Sequence, residues 1–295
     1  MNALPSGRGP PAQRARLQLL AGAVLWSSGG VFIKEIHAGA ASITVLRCLF
    51  SAAMLAPLAR GRRFPRPLDM AVSIGLFAAL LGLYVGATKA TSAANAIFLQ
   101  YTAPVYVIVL GPVLLRERLV ARDVAAIALS LTGVAVLFAG NRGGADVDGL
   151  LMGLGSGAFY GLFLLWLRRL RYADPFAVTF ANCLGVAVLL AAVPGVWDVG
   201  LRDLGLLVVM AAVQFALPYV LFSRGLQHVT SAEASLLALI EPVLNPVWVA
   251  LIVGEKPSTA TIIGGAIILL GLSARYTLLR PREAGQPEFE LEEIV

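Results

Sequence analysis

Ten apolar runs, each long enough to cross a bilayer as a helix, divide this chain, and nothing else in it restricts the fold so strongly. A bilayer core of about 30 Å takes about 20 helical residues, with roughly 17 to 25 usable. The runs are Leu17–Lys34, Ala41–Ala59, Met70–Thr88, Ala93–Leu115, Val124–Gly140, Gly149–Leu167, Phe176–Val193, Leu204–Phe222, Ala232–Val253 and Ala260–Tyr276. Short gaps of turn residues and charges separate them, such as Arg60-Gly61-Arg62-Arg63 and Asn141-Arg142-Gly143-Gly144. No stretch alternates with period two, as the strands of a membrane barrel would. In lipid a helix satisfies every backbone N–H and C=O within itself. The expected fold is all-α and integral to a membrane, with ten transmembrane helices.

Composition excludes the soluble classes. Only 14% of the 295 residues are charged and 58% are hydrophobic, with mean hydropathy +0.82. A soluble domain needs more charge to cover its surface. The net charge of +6 does not indicate nucleic acid, because the arginines flank apolar runs and form no basic face. Cys48 and Cys183 lie inside apolar runs without metal-ligand spacing, and His37 and His228 are isolated near run ends. No cofactor, metal or catalytic set is expected. Arg8, Arg14 and Arg16 precede the first run like the start of a signal peptide, but no small-residue cleavage site ends it. It reads as a retained first helix.

Sidedness follows from Lys and Arg, which favour cytoplasmic loops. With the N-terminus inside and the runs alternating, seventeen of the 23 basic residues fall on the inner side, five on the outer, and Arg47 within the second run. Both termini are expected in the cytoplasm of a multi-pass protein in a bacterial-type cytoplasmic (inner) membrane.

The chain also repeats itself. Thr91-Ser92-Ala93 opens the fourth run and Thr230-Ser231-Ala232 the ninth. Pro104 precedes Glu117 by thirteen residues, as Pro242 precedes Glu255, and Gly133 and Gly271 each follow their glutamate by sixteen. One five-helix module used twice divides the chain into an N-terminal tail at 1–16, repeats at 17–140 and 149–276, and an acidic tail at 280–295 that is expected to be disordered. An odd number of helices per module turns the second copy upside down, a signature of secondary transporters.

The Ser92-Ala93-Ala94 to Pro104 to Arg116-Glu117-Arg118-Leu119 pattern resembles the drug/metabolite transporter superfamily, as does Ser231-Ala232-Glu233-Ala234 through Glu241-Pro242 to Gly254-Glu255. Within it, the pattern resembles the ten-helix family with two EamA-type repeats, over nearly the whole chain. The second copy departs by Lys256-Pro257 after its glutamate and by one slipped residue. The resemblance implies a metabolite exporter working by alternating access, closest to exporters of amino acids, including aromatic ones. Multidrug export on the same scaffold is the alternative; a channel or a non-transporting scaffold is the alternative of another class. A membrane enzyme would need clustered carboxylates or histidines at the interface, and none is present in the sequence.

Polar residues within lipid-spanning helices should face the bundle interior or a wet cavity. Glu241, Asn245 and Trp248 share one face of the ninth run by their i, i+4, i+7 spacing. Pro242 and Pro246 beside them remove backbone donors. The fourth run carries Asn95, Gln100, Tyr101 and Thr102, the third Tyr84, and the eighth Gln214, Pro218 and Tyr219. Trp26 with Ser27 and Ser28 lies in the first run and Tyr160 in the sixth. The candidate substrate-binding set is Trp26, Tyr84, Asn95, Gln100, Tyr101, Thr102, Tyr160, Gln214, Tyr219, Glu241 and Asn245, with Glu241 binding a substrate ammonium or a coupling proton, or serving as a structural carboxylate. Trp166 and Trp248 read as belt or packing residues, and Glu117 and Glu255 as structural. Arg47 should snorkel outward or pair with a carboxylate; binding a substrate carboxylate is the lesser reading. Gly149, Gly153, Gly157 and Gly161 form a small-residue ridge, for close packing or for sliding. The expected partners are a small-molecule substrate, a coupling proton or ion, and the lipid bilayer.

Overall fold

The apolar runs become helices because their backbones have no other acceptors in hydrocarbon. A computed structural model describes residues 10–115, 121–140, 144–225, 228–229 and 231–277, and among these there is no strand. In order they form α1 (Pro10–Trp26), α2 (Gly29–Glu35), α3 (Ala40–Ala59), α4 (Pro67–Ala90), α5 (Ala93–Gln100), α6 (Ala103–Leu115), α7 (Ala121–Gly140), α8 (Gly144–Arg169), α9 (Pro175–Leu190) and α10 (Leu201–Met210). A π-helical turn (Ala211–Ala216), α11 (Leu217–Gly225), α12 (Ser231–Ala238), α13 (Ile240–Ile252) and α14 (Thr259–Thr277) follow.

Six stretches of described residues are long and apolar enough to span a bilayer: Gln13–Glu35, Ala40–Ala59, Pro67–Ala90, Ala93–Leu110, Asp146–Arg169 and Leu201–Gly225. Four shorter apolar helices, Val124–Gly140, Pro175–Leu190, Leu236–Ile252 and Thr259–Ala274, occupy the other expected positions. The first helix begins at Pro10, inside the expected tail, and the helix expected from Gly149 begins at Gly144. Glu117 and the tail at 280–295 lie outside the described residues.

Local signals start the helices. Asp174 accepts from the Phe176 amide at 2.8 Å to cap α9 ahead of Pro175, and Ser92 accepts from the Asn95 amide at 3.0 Å to cap α5. Both are side-chain oxygens meeting orphan N–H groups of a first turn. Prolines interrupt the longer spans. Pro104 has no N–H to offer the Gln100 carbonyl and Pro242 none for Ala238. The chain accordingly breaks at Tyr101–Thr102, between α5 and α6, and at Leu239, between α12 and α13. The first span breaks at Ser27–Ser28, whose hydroxyls donate back to the Val24 and Leu25 carbonyls at 2.6 Å each.

Glycines set the closest packing. A Cβ at Gly133 would lie 2.5 Å from the Gly264 carbonyl oxygen, and one at Gly264 would lie 2.6 Å from that of Gly133. Gly140 faces Ala260 and Gly271 faces Leu129, so residue numbers run in opposite directions and α7 packs antiparallel to α14. The ridge on α8 closes on the first copy: Gly149 meets Thr91, Gly153 meets Leu99, Gly157 meets Thr102, and Gly161 meets the Ala103 carbonyl. The ridge thus packs closely against the first copy.

The surface is inverted relative to a soluble protein. Leu68, Leu201 and Leu251 stand 78%, 88% and 72% exposed, while Arg47, Asn182, Gln214 and Asn245 are buried. Apolar side chains outward and polar ones inward is the arrangement a lipid solvent selects.

Candidate functional site

The proline breaks create the centre of the site. Pro242 leaves the Ala238 carbonyl without its helical donor, and the Tyr101 hydroxyl stands 3.1 Å from that oxygen and 2.8 Å from Glu241 Oε2. A residue at the break of the first copy therefore reaches the matching break of the second. Glu241 itself is half-buried.

The face read from the ninth run holds. Asn245, one turn on, is fully buried, and neither atom of its amide has a hydrogen-bond partner among the described residues. It fits only because Gly30 lies opposite, where a Cβ would stand 2.5 Å from Asn245 Oδ1. Tyr84 on α4 lies within electrostatic reach of Glu241, Asn245 and Arg47, and Tyr160 within reach of Tyr101. Gln214, in the π-helical turn, donates weakly to the Trp26 carbonyl at 3.5 Å and keeps its Oε1 unpartnered. Trp26 packs on Phe222, with ring centroids 4.8 Å apart. Glu241, Asn245, Tyr84, Tyr101, Tyr160, Gln214 and Trp26 thus gather around the helix breaks.

Asn95, Gln100, Thr102 and Tyr219 are placed otherwise. Asn95 donates to Thr91 Oγ1 at 2.9 Å and accepts from Thr261 Oγ1 at 2.7 Å, tying α5 to α14. Gln100 donates to Ser156 Oγ at 3.0 Å, and Ser156 donates to the Leu80 carbonyl at 3.0 Å, linking α5, α8 and α4. Thr102 donates to the Leu99 carbonyl at 2.6 Å, and Tyr219 to the Pro175 carbonyl at 3.0 Å. The two tryptophans read as packing residues anchor their indole N–H groups: Trp166 on the Asp69 carbonyl and Trp248 on Ser27 Oγ, each at 2.9 Å.

Arg47 departs from its two main expectations. It is 2% exposed, so it does not snorkel, and no carboxylate among the described residues pairs with it. Its Nε and Nη2 have no acceptor, and its guanidinium sits 5.9 Å from the Phe215 ring centroid. Ser51 Oγ and Asn182 Oδ1 are buried without partners as well. The sequence reading missed Asn182, although an amide amid the apolar seventh run was a usable signal.

A polar layer closes one end of the protein. Lys34 Nζ pairs with Glu255 Oε2 at 2.6 Å and donates to the Thr91 carbonyl at 2.8 Å. The Ala93 amide donates to Glu255 Oε1 at 2.8 Å, and Lys89 donates to the Ile36 carbonyl. Glu255 is thus the structural carboxylate expected. An open apolar recess of about 500 Å³, lined by Ala53, Pro57, Phe64 and Phe180 among others, shares no residue with the polar centre.

Residues 13–139 and 147–275 each match the EamA-like transporter family. The chain belongs to that family. This EamA-like protein is 34% identical to an uncharacterized transporter of Archaeoglobus fulgidus over 256 residues, covering 85% of the chain and 92% of the relative. It is 23% identical to an uncharacterized transporter of Bacillus subtilis, covering 94% and 93%. A crystal structure with 25% sequence identity superposes with TM-score 0.65, covering 92% of this chain and 99% of the other. The chain is a multi-pass membrane transporter; these descriptions name no substrate.

Proposed function

We propose that this transporter is a secondary carrier exporting small metabolites, amino acids foremost, by alternating access through a cavity between two five-helix repeats of opposite orientation. The contact of Tyr101 with Ala238 and Glu241 carries the reading. It joins the helix breaks of both copies, and Tyr101 lies eight residues into its span, about 12 Å deep at 1.5 Å per residue. Broken helices meeting near the midplane are where such carriers hold substrate. The antiparallel packing of α7 on α14 supports inversion. So does the pairing of Ala93 with Glu255 and of Tyr101 with Glu241, in which the numbering of matching helices runs oppositely. Glu241 is the group to take up an ammonium or a coupling proton. The distribution of Lys and Arg supports both termini on the cytoplasmic side of an inner membrane.

Counterflow of labelled amino acids in proteoliposomes, with and without a pH gradient, tests this. Saturable exchange of at least one amino acid is expected, reduced about tenfold or more by Glu241→Gln, which corresponds to about 1.4 kcal/mol. Absence of exchange for every amino acid would overturn the substrate class. Non-saturating flux would replace the carrier with a channel.

A further inference from the structure

Arg47 is the largest fully buried side chain among the described residues. A guanidinium stays protonated at any physiological pH, so its charge is permanently inside the bundle. An uncompensated charge away from water costs several kcal/mol. Among the described residues the compensation is slight: a ring face at 5.9 Å, the neighbouring Cys48 thiol, and no carboxylate in pairing distance. The unmade bonds are the notable feature. Nε and Nη2 are two adjacent donors of one planar fork, the geometry that holds a carboxylate by two parallel hydrogen bonds.

The surroundings suit the same occupant. Ser51, one turn beyond Arg47 on α3, keeps an unused hydroxyl, and Asn245 keeps an unused amide. Tyr84 lies within electrostatic reach of both Arg47 and Glu241. Arg47 and Glu241 come from different copies and are not paired with each other.

From this geometry we infer that Arg47 anchors the carboxylate of the transported solute while Glu241 receives its ammonium, making the site selective for zwitterionic α-amino acids. The inference rests on the carrier reading and sharpens it. An opposed pair of fixed charges binds a zwitterion with both ends neutralised, whereas an amide or a simple amine leaves the Arg47 charge uncompensated. The discrimination therefore arises from the group left unpaired.

Binding to the purified full-length protein tests this without requiring transport. The twenty proteinogenic L-amino acids, the carboxamide of each one that binds, and the matching decarboxylated amine are the probes. Wild type is expected to bind at least one amino acid and to bind its carboxamide and amine at least tenfold more weakly. Arg47→Gln is expected to bind acid and carboxamide within about twofold of each other, and Arg47→Lys to keep part of the preference. Equal binding of acid and carboxamide by wild type would overturn the inference, as would an undiminished preference in Arg47→Gln. If Arg47→Gln does not fold, the wild-type comparison and Arg47→Lys still decide. Should no amino acid bind while wild-type liposomes exchange another solute, the inference falls and the carrier reading stands.

Discussion

At the residue scale, the Tyr101 hydroxyl is the most consequential single atom, because it reaches a carboxylate and a carbonyl that a proline has freed. A hydrogen bond to a charged group contributes about 1.5–3 kcal/mol. Tyr101→Phe should therefore weaken amino-acid exchange by about tenfold to a hundredfold while leaving the helix packing intact. A lowered exchange rate at an unchanged thermal midpoint would bear this out; unchanged exchange would mean that the contact is only structural. Tyr101 and Glu241 were both readable as candidates, since a polar group in a lipid span demands a reason. Asn95, Gln100 and Thr102 met the same criterion, and the structure uses them in bonds to Thr91, Thr261, Ser156 and Leu99. Interior polarity marks a residue as turned away from lipid, but a neighbouring helix and a cavity are equally acceptable destinations.

At the element scale, two devices shape the helices. The first is the break at Pro242. Pro242→Ala returns an N–H that can bond the Ala238 carbonyl, so the helix should straighten and compete with Tyr101 for its acceptor. Exchange is expected to slow while the thermal midpoint holds or rises; exchange at the wild-type rate would remove the break from the mechanism. The second is the glycine ridge of α8. A Cβ at Gly157 would stand 2.5 Å from Thr102 Oγ1 and 2.6 Å from the Leu99 carbonyl oxygen, and the latter is backbone that cannot swing aside. Gly157→Val should lower the thermal midpoint, at a cost of about 1–3 kcal/mol for an overpacked contact. Gly82→Ala, where a Cβ meets nothing within 4 Å, is the control and should not lower the midpoint.

At the scale of the whole molecule, the polar layer around Lys34 and Glu255 fastens the two copies at one end. In the proposed orientation, with both termini in the cytoplasm, that end faces outside. Lys34 and Glu255 side chains are 17% and 25% exposed, so their pairing lies between the exposed and buried regimes, at about 1–2 kcal/mol. That is enough to shift a two-state population several-fold. Lys34→Met should open the outer end more often. In right-side-out vesicles, a membrane-impermeant maleimide should then react faster with a Gln214→Cys variant that also carries Lys34→Met. Cys48 and Cys183 are buried and provide little background. Labelling at the same rate with and without Lys34→Met would count against this layer as a gate.

The sequence by itself determined the solvent and the repeat. Long runs without charge leave the backbone no state but helix in hydrocarbon, and the spacing from proline to glutamate to glycine is written along the chain, where no folding is needed to see it. The break near Pro242 was foreshadowed, since proline lacks a donor wherever it is placed, whereas the break at Ser27–Ser28 involves no proline. Only the tertiary structure decided which polar faces meet. In a soluble helix the buried stripe is apolar and the exposed one polar, so the sequence encodes rotation about the helix axis. Here lipid and protein interior are both apolar, the stripe disappears, and rotation is set by glycine contacts such as Gly133 against Gly264. That rotation brought Tyr101 to Glu241, turned Asn95 toward α14, and left Arg47 buried beside Phe215.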